Sequence, residues 1–323
     1  MADNRFSAAD AAFRAGRTDE GVATMVAELE RDPNAPADIY RAFLRILVRR
    51  GRYPECATWG RKATELYPRE SEFWNLLGVG LRRTNRHEEA LKALNQAIKL
   101  DPKGEMALIN KGNVLNDLKR GPEGVDVFSK LVRKTPSNAE LQRALGRAYW
   151  YSNLPAKAEQ RFRLAVKLKP DYVDAWLDLS AMIAEERGEM EGVELLHQAI
   201  DSCPESQKPQ EALLAMLRRG RRLDEAQALL KEILAKDPNQ AWALQSMGQI
   251  LGDTDRATAL DYLRRSLARI PRENYVLQTK MWFRTDKDAK AQIERFLKEL
   301  NTDYLDIVFL HCVSDTTWAT DLR

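Results

Sequence analysis

The chain has 323 residues, 51 Lys plus Arg against 48 Asp plus Glu, and a formal net charge of +3, so it is long enough for two domains and has no charge excess that selects nucleic acid or an anionic membrane. Cys56, Cys203 and Cys312 lie far apart and are odd in number, which excludes a disulfide framework or a CxxC metal pair and predicts a reducing, cytoplasmic setting. No run approaches the ~18 apolar residues of a membrane span, and the opening MADNRFSAADAAFRAGRTDEG lacks the apolar core of a secretory signal; it reads as the first helix of an array.

Eight prolines set the rhythm of the chain: Pro33, Pro68, Pro102, Pro136, Pro170, Pro204, Pro238 and Pro271. The first step is 35 residues, the next five are 34 each and the last is 33. A fixed period in the thirties marks a stack of identical supersecondary units. The clearest copy is Ser71 to Gly104. Trp74, Leu77, Gly78 and Leu81 recur at helical spacing; after the turn Thr84-Asn85-Arg86 come Ala90, Leu94 and Ala97. Two amphipathic helices therefore pack antiparallel, with Gly78, Ala90 and Ala97 where their axes approach. Pro102 lacks an N–H and biases Asp101 away from the α region, which predicts the end of the second helix there.

These residues and their order resemble the tetratricopeptide repeat (TPR) family. The pattern returns as Leu145, Gly146, Tyr149, Ala158, Phe162, Ala165 and Pro170, then as Trp176, Leu179, Ser180, Leu196, Ala199 and Pro204. A seventh copy holds Leu213, Leu217, Ala226, Leu230 and Pro238. Copies one, two and four are degenerate: Gly124 stands for the usual alanine in the fourth, and Cys56 and Gly60 are unusual in the second. The eighth is one residue short near Gly252 to Arg256. The resemblance implies a mainly α fold: an α-solenoid of about eight helix pairs, wound as a right-handed superhelix over residues 2–271.

The resemblance also implies that first helices line a concave groove and says which of their residues face it. Those are Arg41, Arg45 and Arg49 in copy two; Asn75, Arg82 and Arg83 in copy three; and Asn110, Asn113 and Asn116 in copy four. Copy five supplies Arg143, Arg147, Trp150 and Tyr151. Copy six turns acidic with Asp174, Asp178 and Glu185, and copy seven returns to Arg218 and Arg219. Guanidinium forks pair with carboxylates, asparagine amides hold an extended backbone, and flat rings anchor side chains. The strip from copies two to five therefore predicts a protein or peptide ligand, extended and acidic, with no nucleic acid, membrane, metal or cofactor involved. The family's clamp for a chaperone's terminal carboxylate is not reproduced. Asn110 stands at one matching place, but Val79, Glu140 and Ala144 occupy the others.

After Pro271 the repeat stops and residues 272–323 read as a short β-α-β tail: NYVLQTKMWF, then KDAKAQIERFLKELN with Ala289, Ile293, Phe296, Leu297 and Leu300 on one face, then TDYLDIVFLHCV. This stretch, from about Tyr262 onward, resembles part of the aldo-keto reductase barrel, its third and fourth strands in particular. The resemblance puts the family's catalytic lysine at Lys280 and its histidine at His311, each at the end of a strand where barrel chemistry sits. The family's tyrosine and aspartate come from an earlier segment that is repeat here, and its cofactor strands come later. Lys280 and His311 are therefore expected to be vestigial, and the chain is expected to be a non-catalytic scaffold. The alternative is a truncated or remnant fusion of repeats with an NADPH-dependent oxidoreductase.

Overall fold

A computed structural model of the chain describes residues 7–252, 254–269, 278–281, 286–300 and 307–310. Seventeen helices appear among them. Sixteen form consecutive pairs: α1 (Ser7–Arg14) with α2 (Thr18–Arg31), α3 (Ala37–Arg49) with α4 (Tyr53–Leu66), α5 (Ser71–Arg83) with α6 (His87–Leu100), and α7 (Glu105–Asp117) with α8 (Gly121–Lys134). They continue as α9 (Ala139–Trp150) with α10 (Pro155–Leu168), α11 (Val173–Arg187) with α12 (Glu189–Ser202), α13 (Lys208–Arg219) with α14 (Leu223–Lys236), and α15 (Ala241–Leu251) with α16 (Arg256–Leu267). The chain divides into two compact units, Met1–Gln210 and Glu211–Arg323.

The proline period fixes where second helices end. In each of the first seven pairs the second helix stops two residues before its proline, as at Leu66 before Pro68 and Lys134 before Pro136. The residue between is extended in the manner a following proline imposes: Asp101 has φ −131° and ψ 88°, and Thr135 has φ −132° and ψ 71°. The eighth proline, Pro271, lies outside the described residues. Several of these prolines have a second use. Their carbonyls accept hydrogen bonds from the next first helix: Tyr40 Oη to Pro33 (2.8 Å), Trp74 Nε1 to Pro68 (2.9 Å), Gln142 Nε2 to Pro136 (2.6 Å) and Trp176 Nε1 to Pro170 (2.8 Å).

The turn inside each pair repeats as well. Gly16, Gly51, Asn85, Lys119, Asn153 and Arg221 all have positive φ, between 55° and 77°. They are spaced by the repeat length or twice that length. In the sixth pair α11 runs on to Arg187, and Gly188, at φ 112° and ψ 159°, makes a different turn. That is where the series skips.

Within the first unit the helices from α3 to α12 each pack on the next, and first helices also touch successive first helices: α3 with α5, α5 with α7, α7 with α9, and α9 with α11. Second helices make no comparable approach to one another among the described residues, so the first-helix side is the inner side of this stack. Phe43, Phe73, Phe128 and Phe162 are fully buried between the layers. Backbones come close at Gly80, where an added Cβ would lie 2.8 Å from the Ala57 amide nitrogen on α4, and closer still at Gly121, where it would lie 2.5 Å from the Ser152 amide nitrogen.

The anomalous Gly124 of copy four has a local cause. A Cβ there would lie 3.1 Å from Asn116 Oδ1 and 3.1 Å from Ala148 Cβ, so the buried asparagine takes the room an alanine would fill.

In the second unit α14 packs on α15, α15 on α16, and α16 on α17 (Asp286–Leu300). The strands β1 (Gln278–Met281) and β2 (Ile307–Leu310) pair in parallel, with Gln278 opposite Ile307 and Met281 opposite Leu310. Two four-residue strands are the only sheet among the described residues, so the chain is mainly helical and no barrel is present there. Lys280 lies on β1; His311 lies outside the described residues.

Candidate functional site

The inner face of the first unit carries the residues that the repeat pattern directs inward, and most of its arginines already hold acids of the same chain. Arg41 pairs with Asp38, with Glu70 at 2.9 Å and with Glu72 at 3.2 Å, and its guanidinium lies 5.6 Å from the Phe73 ring centre. Arg45 Nε donates to Glu72 Oε1 at 2.6 Å. Arg82 Nε donates to Asp117 Oδ2 at 2.6 Å, and Arg143 Nε donates to Asp178 Oδ2 at 2.7 Å. The guanidinium groups of this strip thus stand in a ladder of alternating charges. The roles of Glu72, Asp117 and Asp178 as partners escape a reading of single copies. A signal is nonetheless present: Asp117 follows Arg82, and Asp178 follows Arg143, by one repeat plus one residue.

That spacing defines rungs between successive first helices. From copy three to copy four run Asn110 Nδ2 to Asn75 Oδ1 (2.8 Å) and Arg82 to Asp117. From copy five to copy six run Arg143 to Asp178 and Trp150 Nε1 to Glu185 Oε2 (3.1 Å). Between copies four and five the corresponding positions are Ile109 with Ala144 and Asn116 with Tyr151, and neither pair forms a rung. Asn116 instead donates from Nδ2 to the Ala144 carbonyl at 2.9 Å, while its buried Oδ1 has no partner.

At this unlaced junction a cavity of about 310 Å³ opens. Ile109, Leu141, Ala144 and Phe128 supply apolar lining, Asn113, Asn116 and Asn138 supply amides, and four cations, Arg82, Arg83, Arg143 and Arg147, face one acid, Glu140, which pairs with Lys169 at 3.3 Å. Asn113 is half-buried and, among the described residues, no hydrogen-bond partner is found for its amide. Arg83 is exposed and meets only the Tyr53 ring, at 5.6 Å, and Arg49 is exposed with no acid beside it among the described residues. Arg147 lies 3.9 Å from Asp117 and donates to Tyr151 Oη at 3.2 Å. The Trp150 and Tyr151 rings stack with centroids 6.0 Å apart and planes 4° from parallel.

Charge at the cavity wall is set by burial and pairing together. Burial pushes the Asp178 carboxyl above its ordinary range, outweighing the pull of Arg143. Burial also works against the Arg143 charge, but Asp178 and the Tyr172 hydroxyl outweigh it, so the guanidinium holds its proton more firmly than usual. Farther along the inner face, Asp174 lies 3.4 Å from Arg143 and 3.9 Å from Lys208. In the second unit Arg218 donates to Gln249 at 3.3 Å. No cluster of three potential metal ligands and no helix long and apolar enough to cross a membrane occurs among the described residues.

Comparison with known proteins agrees with the helix pairs. Models of the tetratricopeptide repeat match residues 71–103, and 6–71 with 143–192. A model of the aldo/keto reductase family matches residues 255–320. The cell division cycle protein 27 homolog B of Arabidopsis thaliana is 34% identical over 122 residues, 38% of this chain and 16% of that protein. The human protein O-mannosyl-transferase TMTC3 is 23% identical over 224 residues, 67% of this chain and 24% of that protein. The chain therefore spans less than a quarter of the length of either curated relative. The crystal structure of the APC/C hetero-tetramer Cut9–Hcn1 aligns at TM-score 0.50 and 17% identity, covering 82% of this chain and 52% of that one, a likeness of fold. The chain thus carries tetratricopeptide repeats over residues 6–103 and 143–192, and residues 255–320 match a part of the aldo/keto reductase family.

Proposed function

We propose that the chain is a non-catalytic interaction scaffold that holds an extended, acidic peptide segment of a partner protein along the inner face of copies two to five. The observation that carries this reading is the cavity between α5, α7 and α9, where an amide without a partner lies with Arg83, which has no acid beside it among the described residues, and Arg147, which meets Asp117 only at 3.9 Å. Asparagine can donate to and accept from an extended backbone, and a guanidinium fork takes a carboxylate in two bonds. Because Arg41, Arg45, Arg82 and Arg143 are held internally, they shape the groove, and Arg83 and Arg147 are the ones offered to a ligand.

Selection of 12-residue peptides from a displayed random library tests the reading. Acid-rich sequences emerge, and changing Arg83 and Arg147 together to alanine weakens their binding about tenfold, a loss of ~1.4 kcal/mol. Selected sequences without acidic bias, or affinity indifferent to both arginines, contradict it.

A second reading is favoured by the family match at residues 255–320: the tail is a remnant of a repeat–reductase fusion. The parallel pairing of β1 and β2 across α17 is consistent with one unit of a barrel. In this reading too Lys280 and His311 are vestigial, and the purified chain given NADPH and a panel of aldehydes turns nothing over. Cofactor oxidation that is lost on Lys280→Met would place the function in the tail instead.

A further inference from the structure

We infer that the junction between copies four and five is a specificity pocket for one apolar side chain of the bound peptide, with acidic residues on either side of it. The inference rests on the groove reading and adds the register of the ligand. Its basis is a break in the lacing. At the junctions on both sides, equivalent positions of neighbouring first helices are joined by polar rungs: Asn110 to Asn75 at 2.8 Å, and Arg143 to Asp178 at 2.7 Å. Here the same two positions are Ile109 and Ala144, which cannot form one, and both are only half-buried. Apolar surface is left facing a cavity of about 310 Å³ between helices that are otherwise tied across their polar face.

The chemistry of the walls then selects the occupant. Ile109 and Ala144 pack on the core cluster of Leu141, Leu145 and Phe128, so the floor is continuous with the interior and rewards removal of a side chain from water. The cavity is at the small end of ligand sites, roughly 300–1,000 Å³, which suits one side chain and the backbone that carries it. Asn113, with no partner among the described residues, stands where it can pair with that backbone. Arg83 and Arg147 line the same cavity, placing positive charge next to the apolar floor. A leucine-sized residue flanked by aspartate or glutamate satisfies all three features. An acidic peptide without the apolar residue satisfies only the last.

The probe is a fluorescein-labelled peptide series, Ser-Asp-Asp-X-Asp-Asp-Ser, with X as Leu, Phe, Ala or Ser, titrated into the full chain by anisotropy. Burying a side chain of leucine size gives the X = Leu peptide an affinity roughly tenfold or more above X = Ser. Ala144→Leu fills the cavity from within and removes that preference, so that the X = Leu and X = Ser peptides bind it alike. Asn113→Ala, a milder change at the same wall, weakens every peptide of the series alike, and thermal unfolding checks that both variants keep the wild-type fold. Equal affinity for all four peptides in the wild type overturns the pocket while leaving the groove reading intact. A leucine preference that survives Ala144→Leu in a folded variant also overturns it. Failure of every peptide in the series to bind overturns the pocket and the groove reading together.

Discussion

Lys119 holds φ at 55°, in the left-handed region that L side chains disfavour, because the turn between α7 and α8 needs a residue there. Glycine occupies the equivalent place at Gly16 and Gly51, and asparagine at Asn85 and Asn153. Lys119→Gly should therefore raise stability by about 1 kcal/mol, the relief of strain exceeding the entropy that glycine loses on folding. Asn85→Ala should lower it by a similar amount, about 1 kcal/mol or more, since alanine lacks asparagine's tolerance of this region. Denaturant midpoints at constant slope measure both. The turns are legible in the sequence as polar clusters, but the strain at Lys119 is not, because lysine carries no turn signal of its own. Cys56 gives a second residue-level expectation. Burial pushes its thiol up to about 12, and its Sγ lies 3.4 Å from the Leu76 carbonyl. A thiol raised on folding adds stability that is fully present below its unfolded pKa and is lost as pH rises toward the folded value. Cys56 should thus resist alkylation at pH 8 until the chain unfolds, with mass spectrometry of the labelled peptides as the readout; rapid labelling in the native state would show that α4 and α5 are not packed this tightly.

Helix ends are legible in the prolines, and the register of each pair in the recurring small residues. The pairing of groove charges is not legible within any one copy, because the rungs lie between copies. Arg82 and Asp117 illustrate this: each looks like an exposed charge within its own helix, yet their side chains are only 19% and 20% exposed and meet at 2.6 Å. Such a pair does more than a surface salt bridge, so a double-mutant cycle should return a coupling of about 1–2 kcal/mol between them. A cycle on Arg120 and Glu123, at 38% and 52% exposure, should give well under 1 kcal/mol. Equal couplings would mean that the inner rungs are no more than surface pairs. Close helix approach makes a further expectation at this scale. Gly80→Ala drives a methyl against the α4 backbone and should cost roughly 1–3 kcal/mol, as overpacking does.

Across the whole molecule, the repeat period and the mainly helical fold follow from patterns that extend over many copies. The candidate site does not, since it depends on one junction whose rung positions hold Ile109, Asn116, Ala144 and Tyr151. A regular array hides its function in such departures, because what is shared by all copies maintains the stack. The tail is legible as a separate pattern from its apolar runs, and its family match begins at residue 255, earlier than the resemblance near Tyr262 suggests. The central claim is that ligand binds at the unlaced junction. Photo-crosslinking tests it most directly, using the Asp-flanked peptide with benzoylphenylalanine at its apolar position and the full chain. Crosslinks should fall on α7 and α9, within residues 105–117 and 139–150, and should disappear with Ala144→Leu. Crosslinks confined to the second helices, or to residues 211–323, would contradict the account.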